Sequence, residues 1–270
     1  SYIFRTDPSL EIIQGGGASN TASSNYSFIG GGQVNRAQAN PHATVCGGST
    51  NTASGQKSFI GGGENNTNAG PRGVIIGGGQ NSCDASADDA VICGGNSNTA
   101  NSAKSFVSGG KRGTTRSIVG YHVFPACNIP IADAAGITQS ALLLLGRQTT
   151  DATATVLTSD TSAAAATNQV TLPNNSAYSF SGEVIAGVTG AGNSARWTID
   201  GAIKRGANAA STAMVGTATV TMTHNDAGAA TWVVAVTANT TLGCITVTVT
   251  GAAATTIRWV CKINTTEMTY

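Results

Sequence analysis

The sequence predicts an all-β protein: a trimeric parallel β-roll, or β-solenoid, over residues 1–113, a connector over 114–147 and an antiparallel, jelly-roll-like β-sandwich over 148–270. Three observations lead there. Glycines recur at a period of 15 to 16 residues through the first half. Two apolar columns run side by side within that repeat. The second half changes to Thr, Ala and Val, with apolar residues at alternate positions.

Composition sets the frame. Only 10% of the 270 residues are charged and 5% aromatic, while glycine appears 35 times, so a conventional core of large side chains has little to draw on. Disorder usually accompanies high net charge, and the formal charge here is +1, which favours order built from a repeat. With no basic stripe, nucleic acid is excluded as a partner. The longest apolar run, Ala141-Leu142-Leu143-Leu144-Leu145, is too short for membrane insertion. No secretory leader is read in residues 1–10.

Taking the last glycine of each cluster as an anchor gives Gly17, Gly32, Gly48, Gly63, Gly79, Gly95 and Gly110, spaced 15, 16, 15, 16, 16 and 15. Three positions before the anchor stand Ile29, Val45, Ile60, Ile76, Ile92 and Val107, with Gln14 the exception. One position earlier stand Ile13, Phe28, Thr44, Phe59, Ile75, Val91 and Phe106. Three positions after it come Asn20, Asn35, Asn51, Asn66 and Asn98, with Ser82 and Gly113 departing. The period is too short for a helical repeat and the residues are β-branched, so each unit reads as one solenoid coil. The asparagines are expected to form a structural ladder at its corners.

Neighbouring strand residues point to opposite faces, so one apolar column fills the coil and the other must point outward. A continuous exposed apolar stripe is rarely tolerated on a monomer. The expectation is a homotrimer whose interface holds Phe28, Phe59, Ile75, Val91 and Phe106.

Stretches such as Lys57-Ser58-Phe59-Ile60-Gly61-Gly62-Gly63-Glu64-Asn65-Asn66 resemble the head repeats of trimeric autotransporter adhesins and related phage fibres, over about residues 12–120. The resemblance implies a left-handed parallel β-roll in each chain, with three rolls packed side by side. It departs from the family in coil length and in its glycine triplets.

After Gly110 the repeat breaks, and Pro125, Pro130 and the leucine run suggest a neck. Beyond residue 148, strand-like alternation appears at Tyr178/Phe180, Trp197/Ile199, Val220/Met222, Trp232/Val234/Val236, Ile245/Val247/Val249 and Ile257/Trp259. Six to eight short antiparallel strands are expected, the last two as a hairpin. Gln148-Thr149-Thr150-Asp151-Ala152-Thr153, Leu172-Pro173-Asn174-Asn175-Ser176-Ala177-Tyr178 and the ending Thr266-Glu267-Met268-Thr269-Tyr270 resemble a C-terminal module of phage tail fibres and virion proteins.

Catalytic chemistry is not legible. His42, His122 and His224 are isolated, with no metal-ligand spacing, and read as solvated surface residues. Asp88-Asp89 reads as a turn cap. The glycine clusters lack both the Gly-x-Asp pattern of calcium-binding β-rolls and a following Lys-Ser/Thr. No cofactor or metal is expected, and no Gly-x-Ser-x-Gly elbow is present. The protein is therefore expected not to be an enzyme. Cysteines 46, 83, 93, 127, 244 and 261 are expected to be free thiols. Thr21, Thr52, Thr67, Thr99 and Thr114 form a column broken by Arg36 and Cys83, read as corner hydrogen bonding. The three tryptophans are read as core.

The resemblance then implies a structural and receptor-binding fibre protein of a phage particle. It would be assembled in the host cytoplasm, carried on the virion beside other virion proteins, and attached to a host cell-surface glycan or protein. The alternatives are a fragment of a bacterial trimeric adhesin, whose expected coiled-coil and barrel anchor is not seen before Tyr270, or a polysaccharide-depolymerising tailspike. Recognition is expected in loops 186–195, 204–211 and 222–230, with Arg196, Lys204, Arg205 and His224 in or beside them.

Overall fold

The computed structural model describes residues 5–7, 12–190 and 192–270, without the side chains of residues 5–7 and 12–14. Most of the leader reading at residues 1–10, the side chains of Ile13 and Gln14, and Ala191 of the first candidate loop lie outside the described residues. Contacts divide the chain into two units, Ser1–Ser117 with Tyr121–Gln139 and Ile118–Gly120 with Ser140–Tyr270. The protein is all-β and its first unit is a solenoid of about seven turns.

Three parallel ladders build the solenoid. The first joins Ile12–Gln14, Phe28–Ile29, Thr44–Val45, Phe59–Ile60, Val74–Ile75, Val91–Ile92, Phe106–Val107 and His122–Pro125. The second joins Thr21–Ala22, Arg36–Ala37, Thr52–Ala53, Thr67–Asn68, Ser82–Cys83 and Thr99–Ala100. The third is a column of single bridges through Ala18, Gln33, Ser49, Glu64, Gly79, Asn96 and Lys111. The first ladder therefore runs past residue 113 into the segment expected to be a neck.

One coil is registered differently from the sequence expectation. Val74 pairs with Phe59 and Val91, and Ile75 with Ile60 and Ile92. The anchor is thus Gly78, and Gly79 belongs to the bridge column. Ile75 is fully buried inside the coil, while Ile76 is 54% exposed. Ile75 is removed from the interface set and Val74 takes its place. The same shift puts Asn81 in the asparagine column and Ser82, rather than Cys83, in the threonine column. Cys83 sits inside, next to Asn68 of the neighbouring coil. Corrected, six residues separate the inward aliphatic from the next column residue in every coil: 29 to 35, 45 to 51, 60 to 66, 75 to 81, 92 to 98 and 107 to 113. The variation in coil length falls in the opposite corner, at 84–90 above all.

The asparagine column explains why that half-coil cannot vary. Asn66 donates its backbone N–H to Asn51 Oδ1 at 3.0 Å. Its Nδ2 donates to Gly62 O at 3.0 Å, Gly78 O at 2.9 Å and Asn51 Oδ1 at 3.1 Å. Its Oδ1 accepts the N–H of Asn81 at 2.9 Å. Asn35, Asn51, Asn81 and Asn98 repeat this pattern and all are fully buried. The amide replaces a backbone group at a corner where the chain turns too sharply to satisfy itself.

Outward from the first ladder stand two ranks. One is Phe28, Thr44, Phe59, Val74, Val91 and Phe106, and the other is Gly30, Cys46, Gly61, Ile76, Cys93 and Ser108. Neither contains a charge. The Phe28 and Phe59 rings lean over Gly30 and Gly61, where an added Cβ would sit 3.4 Å from each ring. Where the second rank carries Cys or Ile, the first carries Thr or Val. The last turn of the solenoid is overlapped by residues 126–137. Lys111 N–H donates to Ala126 O at 2.8 Å, and Arg112 pairs with Asp133 at 2.6 Å. That covers the end of the bridge ladder, an edge otherwise open to strand addition.

Asp88 and Asp89 do not cap a turn. Both reach Arg72 from the next coil, each at 2.6 Å. All three side chains are well exposed, so Arg72→Ala is expected to leave the urea midpoint nearly unchanged, and to shift it still less at high salt.

In the second unit we label strands β1 (Thr138–Thr149), β2 (Thr155–Val156), β3 (Val170–Thr171), β4 (Ser176–Val188), β5 (Ser194–Arg205), β6 (Ala213–Met214), β7 (Thr219–Asn225), β8 (Val233–Asn239), β9 (Cys244–Thr250) and β10 (Ile257–Thr269). One sheet runs β1-β10-β4-β5, with β6 and β7 sharing the free edge of β5. The other has β9 at its centre, β8 on one side and β2 and β3 on the other. The expected hairpin of β9 and β10 does not form: these strands belong to different sheets, and residues 251–256 cross between them. Several strands are long rather than short, 13 residues in β4 and β10.

Tyr178, Phe180, Val184, Trp197, Ile199, Trp259 and Ile263 of the first sheet are buried, as are Val234, Val236, Ile245, Val247 and Val249 of the second. Trp259 lies 5.6 Å from Trp197 and 5.7 Å from Trp232, ring to ring, so all three tryptophans are core. Trp259 Nε1 donates to Thr149 Oγ1 at 2.9 Å.

All six cysteines are free. Burial pushes the thiols of Cys83 and Cys261 up to about 12 and that of Cys244 up to about 11. These three are held as inert thiols, whereas Cys46 and Cys127 are exposed.

Candidate functional site

The outer face of β10-β4-β5-β7 follows from strand alternation. Trp197, Ile199 and Ile203 point inward from β5, which sends Ser194, Arg196, Thr198, Asp200 and Lys204 outward. On β4 the outward set includes Glu183 and Ile185, and on β10 it includes Arg258, Val260 and Lys262. Register then places Val260, Ile185, Arg196 and His224 side by side across four strands. A bulge between Arg196 and Trp197 turns the end of β7 at that point.

The end of this row is a shallow groove of about 540 Å³, lined by Ile185, Ser194, Ala195, Arg196, Thr223, His224, Asn225 and Asp226. Arg196 is held by two partners, Glu183 Oε1 at 2.8 Å and Thr223 Oγ1 at 3.1 Å. The guanidinium, with Lys262 contributing, keeps the Glu183 carboxyl below the usual carboxylate range. A lowered carboxylate pKa means the pair is intact at neutral pH and is lost only as pH falls through that lowered value. Asp226 accepts the Ser194 N–H at 2.8 Å, which fixes the strand ends at the groove mouth. His224 lies beside Thr223 Oγ1 at 3.2 Å.

Of the four residues expected to bind, the fold brings two together. Arg196 and His224 are directly opposed across β5 and β7. Lys204 is exposed on the same face but eight residues further along β5, roughly 26 Å away at strand rise. Arg205 points to the other face, where Nη1 donates to Leu172 O at 2.5 Å, and is spent as a brace. The four also lie on strands rather than in loops. Ile185, Ser194 and Asp226 were missed as individual groove residues because no spacing in the sequence reveals which strands become neighbours.

No family model matches the chain, and no curated protein does. A solved structure does: the crystal structure of a tailspike protein, gp49, from Acinetobacter baumannii bacteriophage Fri1, a capsular polysaccharide depolymerase. Identity is 9%, the TM-score is 0.29, and the match covers 92% of this chain and 44% of that one. The chain thus spans less than half the length of the protein it is similar to. That protein is an enzyme, so the sequence expectation of a non-enzyme is withdrawn.

The histidines are also placed. His42 stacks on Tyr26 at 4.7 Å and His122 is tilted against Phe106 at 5.6 Å. Among the described residues there is no cluster of three or more His, Cys, Asp or Glu suited to a metal. Among the described residues no helix is long and apolar enough to cross a membrane.

Proposed function

We propose that the protein is an attachment fibre or spike of phage type, carried on the virion with other virion proteins. Three copies pack through the uncharged solenoid face, and the second unit, a β-sandwich of jelly-roll type, engages a host cell-surface polysaccharide. The observation that carries this reading is that face: two adjacent ranks, from Phe28 to Ser108, without one charged side chain. Charges occur in the other columns, at Arg36, Glu64, Arg72, Asp89, Lys104 and Lys111. Apolar stripes of that continuity mark packing against another surface. Identical coils on identical chains provide a partner of the same pitch.

Light scattering of the intact protein is expected to give three times the 26.9 kDa chain mass. A stable monomer would remove the assembly. Phe59→Asp is expected to release monomers, because the charge would be buried without a partner. Thiol labelling supplies a second readout. Cys46 lies on the packed face, so Cys127 is expected to react rapidly in the intact assembly and Cys46 only in the Phe59→Asp variant. For attachment, the labelled protein is expected to bind capsulated bacteria and not their acapsular mutants, with Arg196→Ala weakening binding at least tenfold.

A second reading is that the engaged polysaccharide is also cleaved. It is favoured by the two carboxylates at the groove, Asp226 in its lining and Glu183 on Arg196, since glycoside cleavage uses paired carboxylates. New reducing ends on incubation with capsular polysaccharide, lost in Glu183→Gln and Asp226→Asn, would establish it. Binding without new reducing ends would remove it.

A further inference from the structure

The charge pattern around the groove goes beyond its outline. Ile185 and Val260 are opposed on neighbouring strands and are 51% and 48% exposed, which makes a small apolar floor flanked by charged side chains. Cations surround that floor. Arg258 and Lys262 are exposed on β10, two residues to either side of Val260, roughly 13 Å apart along the strand. Arg196 borders Ile185 on β5. Gly187, opposite both Arg258 and Ser194, leaves the space between them without a side chain.

Carboxylates near this floor are fewer than the cations. Glu183 serves Arg196 at 2.8 Å and also lies near Lys262. Asp226, at the groove mouth, has one oxygen committed to the Ser194 N–H. Arg258 is exposed, and among the described residues its hydrogen bond is from Nε to the neutral Gln148 Oε1 at 3.3 Å, which leaves its terminal nitrogens available to a ligand. An apolar platform ringed by guanidinium and ammonium groups matches a ring with one apolar face and a carboxylate at its edge. Guanidinium groups in particular pair with carboxylates through two parallel hydrogen bonds.

We infer that this face binds a carboxylate-bearing sugar of the hexuronate class. The pyranose ring lies on Ile185 and Val260, its carboxylate meets Arg258 or Lys262, and its hydroxyls reach Arg196, Ser194 and His224 in the groove. The inference rests on the polysaccharide-engaging reading above and names the substrate class of that same site. Neutral sugars satisfy the platform but leave Arg258 without a counter-charge and Lys262 sharing Glu183 with Arg196.

The test uses the intact protein and two oligosaccharides of equal length, tetragalacturonate and maltotetraose, titrated calorimetrically at low and at moderate salt. Tetragalacturonate is expected to bind and maltotetraose not. Affinity should fall at least tenfold in the Arg258→Ala/Lys262→Ala double variant, and severalfold between 0.05 and 0.3 M salt, because the charges are exposed. Both β10 side chains are exposed, so the variant is expected to keep the wild-type melting temperature and assembly mass. Equal binding of both sugars, or unchanged affinity in the double variant, would overturn the inference. So would a change of assembly mass in that variant, which would make the face a subunit contact. If the protein binds capsulated cells but neither oligosaccharide, the hexuronate assignment falls and attachment stands. If tetragalacturonate binds while cells do not, attachment falls and the site stands.

Discussion

Gly78→Ala is expected to abolish the native solenoid at moderate temperature, while Gly77→Ala, one residue earlier in the same triplet, is expected to be nearly silent. Gly78 has φ +86°, and a Cβ there would lie 2.1 Å from Gly95 O and 2.8 Å from Asn81 Nδ2. The left-handed conformation alone costs a non-glycine residue roughly 1–2 kcal/mol. The overlap cannot be relieved by a side-chain movement, because the obstacle is the backbone of the next coil. Parting the coils there would break the ladder and the asparagine column together, for a total on the order of 4 kcal/mol or more. At Gly77 an added Cβ meets nothing within 4 Å, and φ lies outside the left-handed region. Urea denaturation of the two variants reads the difference directly. Equal losses at Gly77 and Gly78 would show that the coil is anchored otherwise.

The second large effect is expected at Asn66. Asn66→Leu removes the acceptor of the Asn81 N–H, where both residues are fully buried, and the donor to Gly62 O and Gly78 O at the edge of the corner. A buried group left without a partner costs about 1–3 kcal/mol. Gly78 O keeps the Glu64 N–H at 2.9 Å, so the Asn81 N–H and the half-buried Gly62 O lose their partner, which points to roughly 2–4 kcal/mol. Gln56→Leu, on an exposed corner, is expected to change stability by about 0.5 kcal/mol or less. Thermal melting distinguishes the two. Similar melting temperatures for both variants would mean that the column does not carry the corner.

Much of the solenoid was readable because its determinants are local and repeated. Glycine is required where coils approach at positive φ, asparagine where a corner must bond to two coils, and an aliphatic residue where the strand faces inward. Each requirement recurs every turn, so five columns could be aligned without a structure. The one register error, Gly79 for Gly78, arose because three consecutive glycines look alike in sequence. Only the pairing of Ile75 with Ile60 and Ile92 distinguishes the glycine that turns from the one that bridges. Moving Ile75 inside restores the asparagine column at Asn81.

The second unit was readable only in part. Alternation identified buried faces at Tyr178, Trp197, Val247 and Trp259, because a period of two is written into each strand separately. Which strands become neighbours is decided by contacts far apart in sequence, and alternation is silent on that. Hence β9 and β10, adjacent in the chain, were expected as a hairpin and lie in different sheets. Lys204 and Arg205, neighbours on β5, serve opposite faces by that same period of two, whereas the Leu172 carbonyl that Arg205 meets is set by strand order.

By itself the sequence determined the all-β class, the coil, the inward and outward columns and the absence of charge on one face. Those follow from backbone geometry acting on neighbouring residues. Tertiary structure alone decided that Arg196 meets His224, that Ile185 and Val260 form a floor between cations, and that Arg205 is occupied by the Leu172 carbonyl. Those depend on strand order and register between segments dozens of residues apart, which no local preference specifies.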